Sequence, residues 1–346
     1  MHSSGRCCHP ISVKHNNQRS MFGGRMKKIS IVVPCYNESS GIASFVQEIS
    51  GLVISLPSYQ FEVIFIDDGS TDDSLLKIKK LCGIHGWLCA VSLTRNFGKE
   101  AALTAGLDFA TGDAVVFMDA DLQHPPIVVK SFLEKWEQGE CVVVGRRKSR
   151  QTDSGGYRFF AEHFYRLHNR ISDIQLPENV GDFRLIDRKV VNQLKMLREN
   201  RRFMKGLFAW VGYQPFYVDY IVAARSHGSS TFNKWRSWNF ALEGITSFST
   251  VPLRIWSYLG VAVLFIGLAY SFAIVVDALV HGVATPGYVT LLTAIVVFGG
   301  IQLIGIGVLG EYIGRIYMEV KGRPSYLIDE VIGNTVSTIK VPVEGK

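Results

Sequence analysis

No two of the six cysteines (Cys7, Cys8, Cys35, Cys82, Cys89 and Cys141) stand in a Cys-x-x-Cys pair. That absence argues against a zinc site and a disulfide framework, and it suits a reducing compartment. No Gly-x-Gly-x-x-Gly follows the first strand-like run, and Gly98-Lys99 lacks the upstream glycine of a phosphate-binding loop. A dinucleotide dehydrogenase and a P-loop NTPase both lose ground. Residues 1–25 are polar and basic with no apolar stretch, so they are not a signal peptide. "MKKISIVVP" at Met26 reads as a natural start, and residues 1–25 are set apart as a disordered or non-native extension.

The longest absences are of charge. Ile255–Val276 holds none over 22 positions and Val283–Gly310 none over 28. At about 1.5 Å per helical residue, each run is long enough for a hydrocarbon core of roughly 30 Å. The loop between them carries Asp277 and His281 but no Lys or Arg, whereas Lys234, Arg236, Arg254, Arg315, Lys321 and Arg323 flank the pair. The positive-inside rule puts both ends on the cytoplasmic side and the short loop outside. Two transmembrane helices are therefore expected, at 255–280 and 284–314, with a cytoplasmic tail at 315–346. The net charge of +7 fits that basic bias. Residues 231–254 mix Trp235, Trp238 and three phenylalanines with Lys234, Arg236 and Arg254, as a juxtamembrane interfacial helix does. Gly300, Gly307, Gly310 and Gly314 fall near one stripe of the second span. The stripe suits close helix contact, within the hairpin or between copies, and a homo-oligomer is expected.

What is present lies mostly in residues 26–230. Short β-rich runs at 27–34, 61–67, 88–94, 114–119 and 141–145 alternate with helical patterns at 40–54 and 99–110. That alternation predicts βαβ units and a mostly parallel sheet, whose ligands sit at the carboxyl ends of the strands. Ligand-type side chains cluster at those ends: Tyr36, Asn37 and Glu38; Asp67 and Asp68; Arg95; Asp119 to Gln123; Arg146 and Arg147. Asp119 and Asp121 stand one residue apart, so in an extended chain they share a side and crowd like charges. A hard cation between them, Mg²⁺ or Mn²⁺, would relieve the repulsion and hold a diphosphate through its remaining positions. A lone Asp-x-Asp is more often a solvated turn; its place in a row of strand ends favours the metal.

The motifs "IVVPCYNES" (31–39), "VIFIDDGSTDDS" (63–74), "RNFGKEAALTAGLDFATGD" (95–113), "MDADLQHPP" (118–126) and "GDFRLIDR" (181–188) occur in the order found in family-2 glycosyltransferases of the GT-A fold. The chain resembles the branch that moves a sugar from a nucleotide to polyprenyl phosphate. "NRRFMKGLFAWVGY" (200–213) and "GEYIGRIYMEVKGRPSY" (310–326) are similar to bacterial bactoprenol glucosyltransferases. The resemblance implies a GT-A nucleotide-sugar domain, an interfacial helical region and two membrane helices. It implies that Pro34, Tyr36 and Glu38 line the base and ribose pocket and that Asp68 contacts the base. Asp119 would touch the ribose or diphosphate, and Asp121, with Gln123 and Asp119, would hold the metal. Lys99, Arg147, Arg158 and Arg225 would face the donor diphosphate and the acceptor phosphate. Asp182, in a loop after the nucleotide domain, would lie near the acceptor. A lipid monophosphate is largely ionised at neutral pH, so Asp182 is read as a positioning residue or a weak base. The family's Ser-Lys is Ser230-Thr231 here, and its cation is not carried over.

The activity implied is inverting, metal-dependent transfer to undecaprenyl phosphate at the bacterial inner membrane, supplying a lipid-linked sugar for O-antigen or similar glycosylation. Glucose from UDP-glucose is the donor of first choice; mannose, galactose and aminoarabinose are the alternatives. A processive polysaccharide synthase would need a Gln-x-x-Arg-Trp motif, which the sequence lacks. A non-catalytic membrane scaffold would be expected to lose the strand-end carboxylates, and they are retained. Nothing points to nucleic acid.

Overall fold

The computed structural model describes residues 25–148, 180–197, 199, 202–221, scattered positions between 262 and 280, and 287–333. The strand order is β7-β5-β6-β4-β1-β2-β3-β8 in one sheet. Its centre is four parallel strands: β1 (Lys27–Cys35), β2 (Tyr59–Asp67), β3 (Leu88–Leu93) and β4 (Ala114–Phe117). β6 (Val180–Asp187) is antiparallel to β4 and to β5 (Val142–Arg147), and β7 (Phe216–Tyr220) is parallel to β5. β5 is thus separated from β4 by a reversed strand but runs the same way. The carboxyl ends of β1–β5 and β7 and the amino end of β6 therefore meet along one edge.

Helices cover both faces. α1 (Ile42–Ser55) buries Ile42, Phe45, Val46, Ile49 and Leu52, the helical spacing of one apolar stripe. Phe45 meets Phe65 of β2 edge-on at 5.7 Å between centroids. Each such buried side chain contributes up to about 1.5–3 kcal/mol. α1, α2 (Ser74–Ile84) and α4 (Val128–Glu137) pack with Ile29, Ile31 and Val33 on one face. α3 (Lys99–Phe109), α5 (Arg188–Met196) and α6 (Met204–Trp210) pack on the other, with Val32, Ile64 and Ile66. The alternation of β1 sends successive side chains to the two cores.

Gly112, before β4, comes close to the first strand. A Cβ there would lie 2.6 Å from the Ser30 backbone nitrogen and 2.7 Å from the Lys28 carbonyl oxygen. Gly112 N–H also donates to Ser30 Oγ at 2.8 Å and to the buried Glu62 at 3.2 Å. Because the obstacles are backbone atoms, Gly112→Ala should destabilise the domain by about 1–3 kcal/mol. A denaturant midpoint equal to that of the wild type would show that this crossing gives way at little cost.

Two expectations change in the C-terminal part. The stretch expected to be only a tail contains β8 (Ile328–Ile332), which pairs antiparallel with β3. Tyr326 Oη donates to Asp108 Oδ2 at 2.9 Å, Thr94 N–H to Leu327 O at 3.0 Å, and Glu330 pairs with Lys79. Ile328, Glu330 and Ile332 are half-buried and alternate with the exposed Asp329 and Val331, a period-2 pattern too short to stand out in a charged segment. The second apolar run lies in α7 (Tyr288–Val320), which continues past Gly314. Among the described residues no helix is long and apolar enough to cross a membrane. Glu311, Arg315 and Glu319 enter the last third of α7. The 255–280 run lies largely, and the interfacial stretch 231–254 wholly, outside the described residues. No described residue comes within 4 Å of a Cβ built on Gly300, Gly307, Gly310 or Gly314.

Candidate active site

The carboxyl edge is held together by side chains bonding backbone. The turn after β1 places Asn37 at φ 55°. Thr71 N–H donates to Asn37 Oδ1 at 2.8 Å, Asn37 N–H to Ser70 Oγ at 3.0 Å and Glu38 N–H to Ser74 Oγ at 2.9 Å. The ends of β1 and β2 are thereby joined. Pro34 is buried opposite Ile66, Glu38 is half-buried, and Tyr36 stands exposed at the rim.

Asp68 also has a structural part. It is buried, and its two oxygens accept Phe97 N–H at 2.7 Å and Gly98 N–H at 2.8 Å. Burial pushes its carboxyl above the usual range despite those two bonds. A carboxylate with both oxygens engaged by backbone serves first to shape the loop before α3. Gly98 in that loop takes φ 100°, which favours glycine. Asp68 thus sets the start of the helix that carries Lys99.

Lys99 is the positive group beside the acidic motif. Its Nζ lies 2.7 Å from Asp119 Oδ1, 3.0 Å from Asp119 Oδ2 and 2.8 Å from Asp182 Oδ2. Asp182 lies on β6, not in a loop, at the end where this reversed strand begins. Burial alone would raise both carboxyls. The Lys99 ammonium outweighs it and holds Asp119 far below the usual carboxylate range; Lys99 and then Lys205 lower Asp182. In return, Asp119 and Asp182 overcome the effect of burial on Lys99 and raise its pKa. β4 ends at Phe117, and residues 120–121 form a turn that leads to Leu122 at φ 57°. Asp119 and Asp121 are therefore not neighbours on an extended strand. Asp121 is half-buried, and its Oδ1 accepts Gln123 N–H at 3.1 Å.

Other groups here were not singled out from the sequence. Burial, then the charge of Asp182, pushes Glu100 up to about 7, and Glu100 Oε2 accepts Met204 N–H at 3.0 Å. Arg184 is buried under Asp182, 3.9 Å from the Phe208 ring centre, and burial lowers it to about 10. His124, Phe183 and Tyr220 stack behind Asp119. Their types are common in cores, and no local spacing marks them. Arg147 ends β5, and its buried Nε has no hydrogen-bond partner among the described residues. Arg146 pairs with Asp219 at 2.7 Å. Arg158 and Arg225 lie outside the described residues.

The described residues contain no group of three or more His, Cys, Asp or Glu that would hold a metal ion. A Mg²⁺-type ion needs only one or two carboxylates when phosphates and water complete its shell. Asp121, half-buried at the edge and joined to Gln123 through its turn, fits that role. Asp119, held by Lys99, fits as a neighbour.

The "Glycosyl transferase family 2" model matches residues 30–195, and the "GtrB C-terminal hairpin" model matches 251–316. The SfII prophage-derived bactoprenol glucosyl transferase of Shigella flexneri is 50% identical over 301 residues, 87% of this chain and 97% of that protein. The prophage bactoprenol glucosyl transferase homolog of Escherichia coli K12 is 48% identical over 304 residues, 88% and 99% of the two chains. Glucosyl-3-phosphoglycerate synthase from Mycobacterium tuberculosis, solved with Mn²⁺, UDP and phosphoglyceric acid, superposes with a TM-score of 0.45 at 22% identity, covering 64% of this chain and 76% of that one.

Proposed function

The chain belongs to glycosyl transferase family 2, and from that premise we propose that it transfers glucose from UDP-glucose to the phosphate of undecaprenyl phosphate. One observation carries the reading: 50% identity to a bactoprenol glucosyl transferase across 87% of the chain, C-terminal hairpin included. The edge of the sheet suits the chemistry. A phosphate oxygen of the lipid forms a bond to the anomeric carbon while the bond from that carbon to the diphosphate breaks, and UDP leaves. One displacement inverts the centre, so an α-linked donor gives a β-linked product.

Pro34, Tyr36 and Glu38 surround the base and ribose side. Lys99 and Arg147 oppose the negative charge of diphosphate and acceptor, with Arg158 and Arg225 assigned to the same task. Asp182 orients the acceptor phosphate, which is already ionised and needs little help from a base. Asp121, with Gln123 and Asp119, would hold Mg²⁺ or Mn²⁺, which neutralises charge on the departing diphosphate. Rate enhancement then comes mainly from alignment and charge stabilisation.

The site belongs beside a lipid headgroup, and the hairpin supports placing 255–280 and 284–314 in the bacterial inner membrane, with both termini and the catalytic domain cytoplasmic. The matched hairpin and the exposed Leu291, Ile295, Leu303 and Ile306 of α7 support that placement. The open glycine stripe on the same helix supports contact between copies.

Purified protein in detergent, given polyprenyl phosphate and a panel of radiolabelled nucleotide sugars, should label the lipid from UDP-glucose. The product's anomeric coupling should report a β linkage. Labelling from another nucleotide sugar alone would replace the donor, and no labelled lipid from any donor would overturn the reading.

A further inference from the structure

A buried layer stands behind Asp119. His124, 2% exposed, stacks on Phe183 with centroids 4.8 Å apart and planes 20° off parallel. Phe183 follows Asp182 directly in β6, so one strand serves both the site and its backing. Tyr220, the last residue of β7, is buried and brings its hydroxyl 2.8 Å from His124 Nδ1. Gly145 leaves the room for this packing. A Cβ there would lie 2.8 Å from Phe183 Cδ1 and 2.9 Å from Tyr220 Cε1. The other ring nitrogen, Nε2, faces Asp119 Oδ2 at 3.7 Å.

The directions of these contacts follow from the groups. Arg147 has donors only and stands opposite Tyr220 in the β5–β7 pairing, with its side chain acting on the phenol oxygen. The Tyr220 oxygen accepts from Arg147, and its hydrogen is left to donate to His124 Nδ1. With Nδ1 accepting, the ring hydrogen sits on Nε2 and points at a carboxylate. The other neutral tautomer would set a bare nitrogen lone pair against that carboxylate. At 3.7 Å the last contact is longer than a formed hydrogen bond, and catalytic hydrogen bonds of this kind tighten when substrate is bound.

We propose that Arg147, Tyr220 and His124 form a directed line of donors that fixes the Asp119 carboxylate from behind, which makes Tyr220 and His124 positioning residues for the transfer. The inference rests on the reading that Asp119 serves the sugar donor. Lys99 holds both Asp119 oxygens from one side, and His124 limits rotation of the carboxylate from the other. Lys99 then holds the rotamer before the donor arrives, and His124 locks it as its contact closes.

Tyr220→Phe removes one oxygen and keeps the ring in its aromatic box. Its kcat should fall about tenfold to a hundredfold, the usual effect of losing an outer-shell partner, with KM for UDP-glucose and the melting temperature close to wild type. His124→Gln, which keeps an N–H donor, should retain more kcat than His124→Leu. ¹⁵N-histidine NMR of the full chain in detergent, assigned with His124→Gln, should show the Nε2–H tautomer in wild type and a changed signal in Tyr220→Phe. The proposal is overturned by wild-type kcat in Tyr220→Phe, by a loss confined to melting temperature or KM, or by an Nδ1–H tautomer. The NMR reports on the side-chain line even if UDP-glucose proves to be the wrong donor, so failure of the donor reading and failure of this inference stay distinguishable.

Discussion

Asp121→Ala should lower transfer by roughly two to three orders of magnitude, the loss expected on removing a carboxylate that would hold the cation neutralising the leaving diphosphate. Asp121 sits at a half-buried turn and accepts the neighbouring Gln123 N–H. Truncation there creates no core cavity, so the melting curve should stay close to wild type. The measurement is lipid product formed per minute across a titration of Mg²⁺ or Mn²⁺. A simple loss of affinity for the ion would be rescued by high metal, and a loss of the whole charge arrangement would not. Turnover near wild type, with or without metal, would remove Asp121 from the chemistry.

Lys99→Met is the second large effect. The substitution keeps the unbranched stem and deletes the ammonium that lies within 3.0 Å of both Asp119 and Asp182. Two carboxylates, one just past the end of β4 and one on β6, would then face each other without a cation. Turnover should fall by roughly a hundredfold or more, since Lys99 also opposes diphosphate charge. Stability should change with a defined sign. Asp119 and Asp182 titrate below their usual values when folded. Their pairing therefore contributes stability above the unfolded carboxyl pKa of about 4, and that contribution is lost as pH falls through the depressed folded values. Lys99, raised by the same contact, stays charged throughout that range. The melting deficit of Lys99→Met should thus be largest at neutral pH and shrink toward pH values below about 4. A deficit that does not vary with pH would mean that the lysine stem, not its charge, holds the region.

The central strands were legible because they are buried on both faces and read as unbroken apolar runs. The run at 27–34 became Lys27–Cys35, and that at 61–67 became Tyr59–Asp67. β6 was hidden by its own chemistry. A strand that carries Asp182 to the site and buries Arg184 interrupts its apolar pattern with charge, so its segment was taken for a loop. β8 reads as polar because only every second residue faces the sheet. Within the site, the carboxyl-edge residue types were visible as a set, but their pairings were not. Lys99, expected on a diphosphate, also bridges two carboxylates. Asp68, expected on a base, also holds a loop through two backbone bonds. Such partners lie far apart along the chain, and only the strand order decides which of them meet. A metal also looked necessary to separate Asp119 from Asp121 because both were placed on an extended strand; the turn at 120–121 removes that crowding.

β7 and β8 are the two outermost strands of the sheet. The chain departs toward the hairpin from one border of the catalytic domain and is sewn back in at the other. A domain hung from a single linker swivels, and its site spends most of its time facing away from the bilayer. Attachment at both borders removes much of that rotational freedom. With the hairpin in the bilayer as proposed, the effective concentration of the site at the lipid headgroups is set by this geometry. The protein can then capture its acceptor through weak contacts and still let a charged lipid product go.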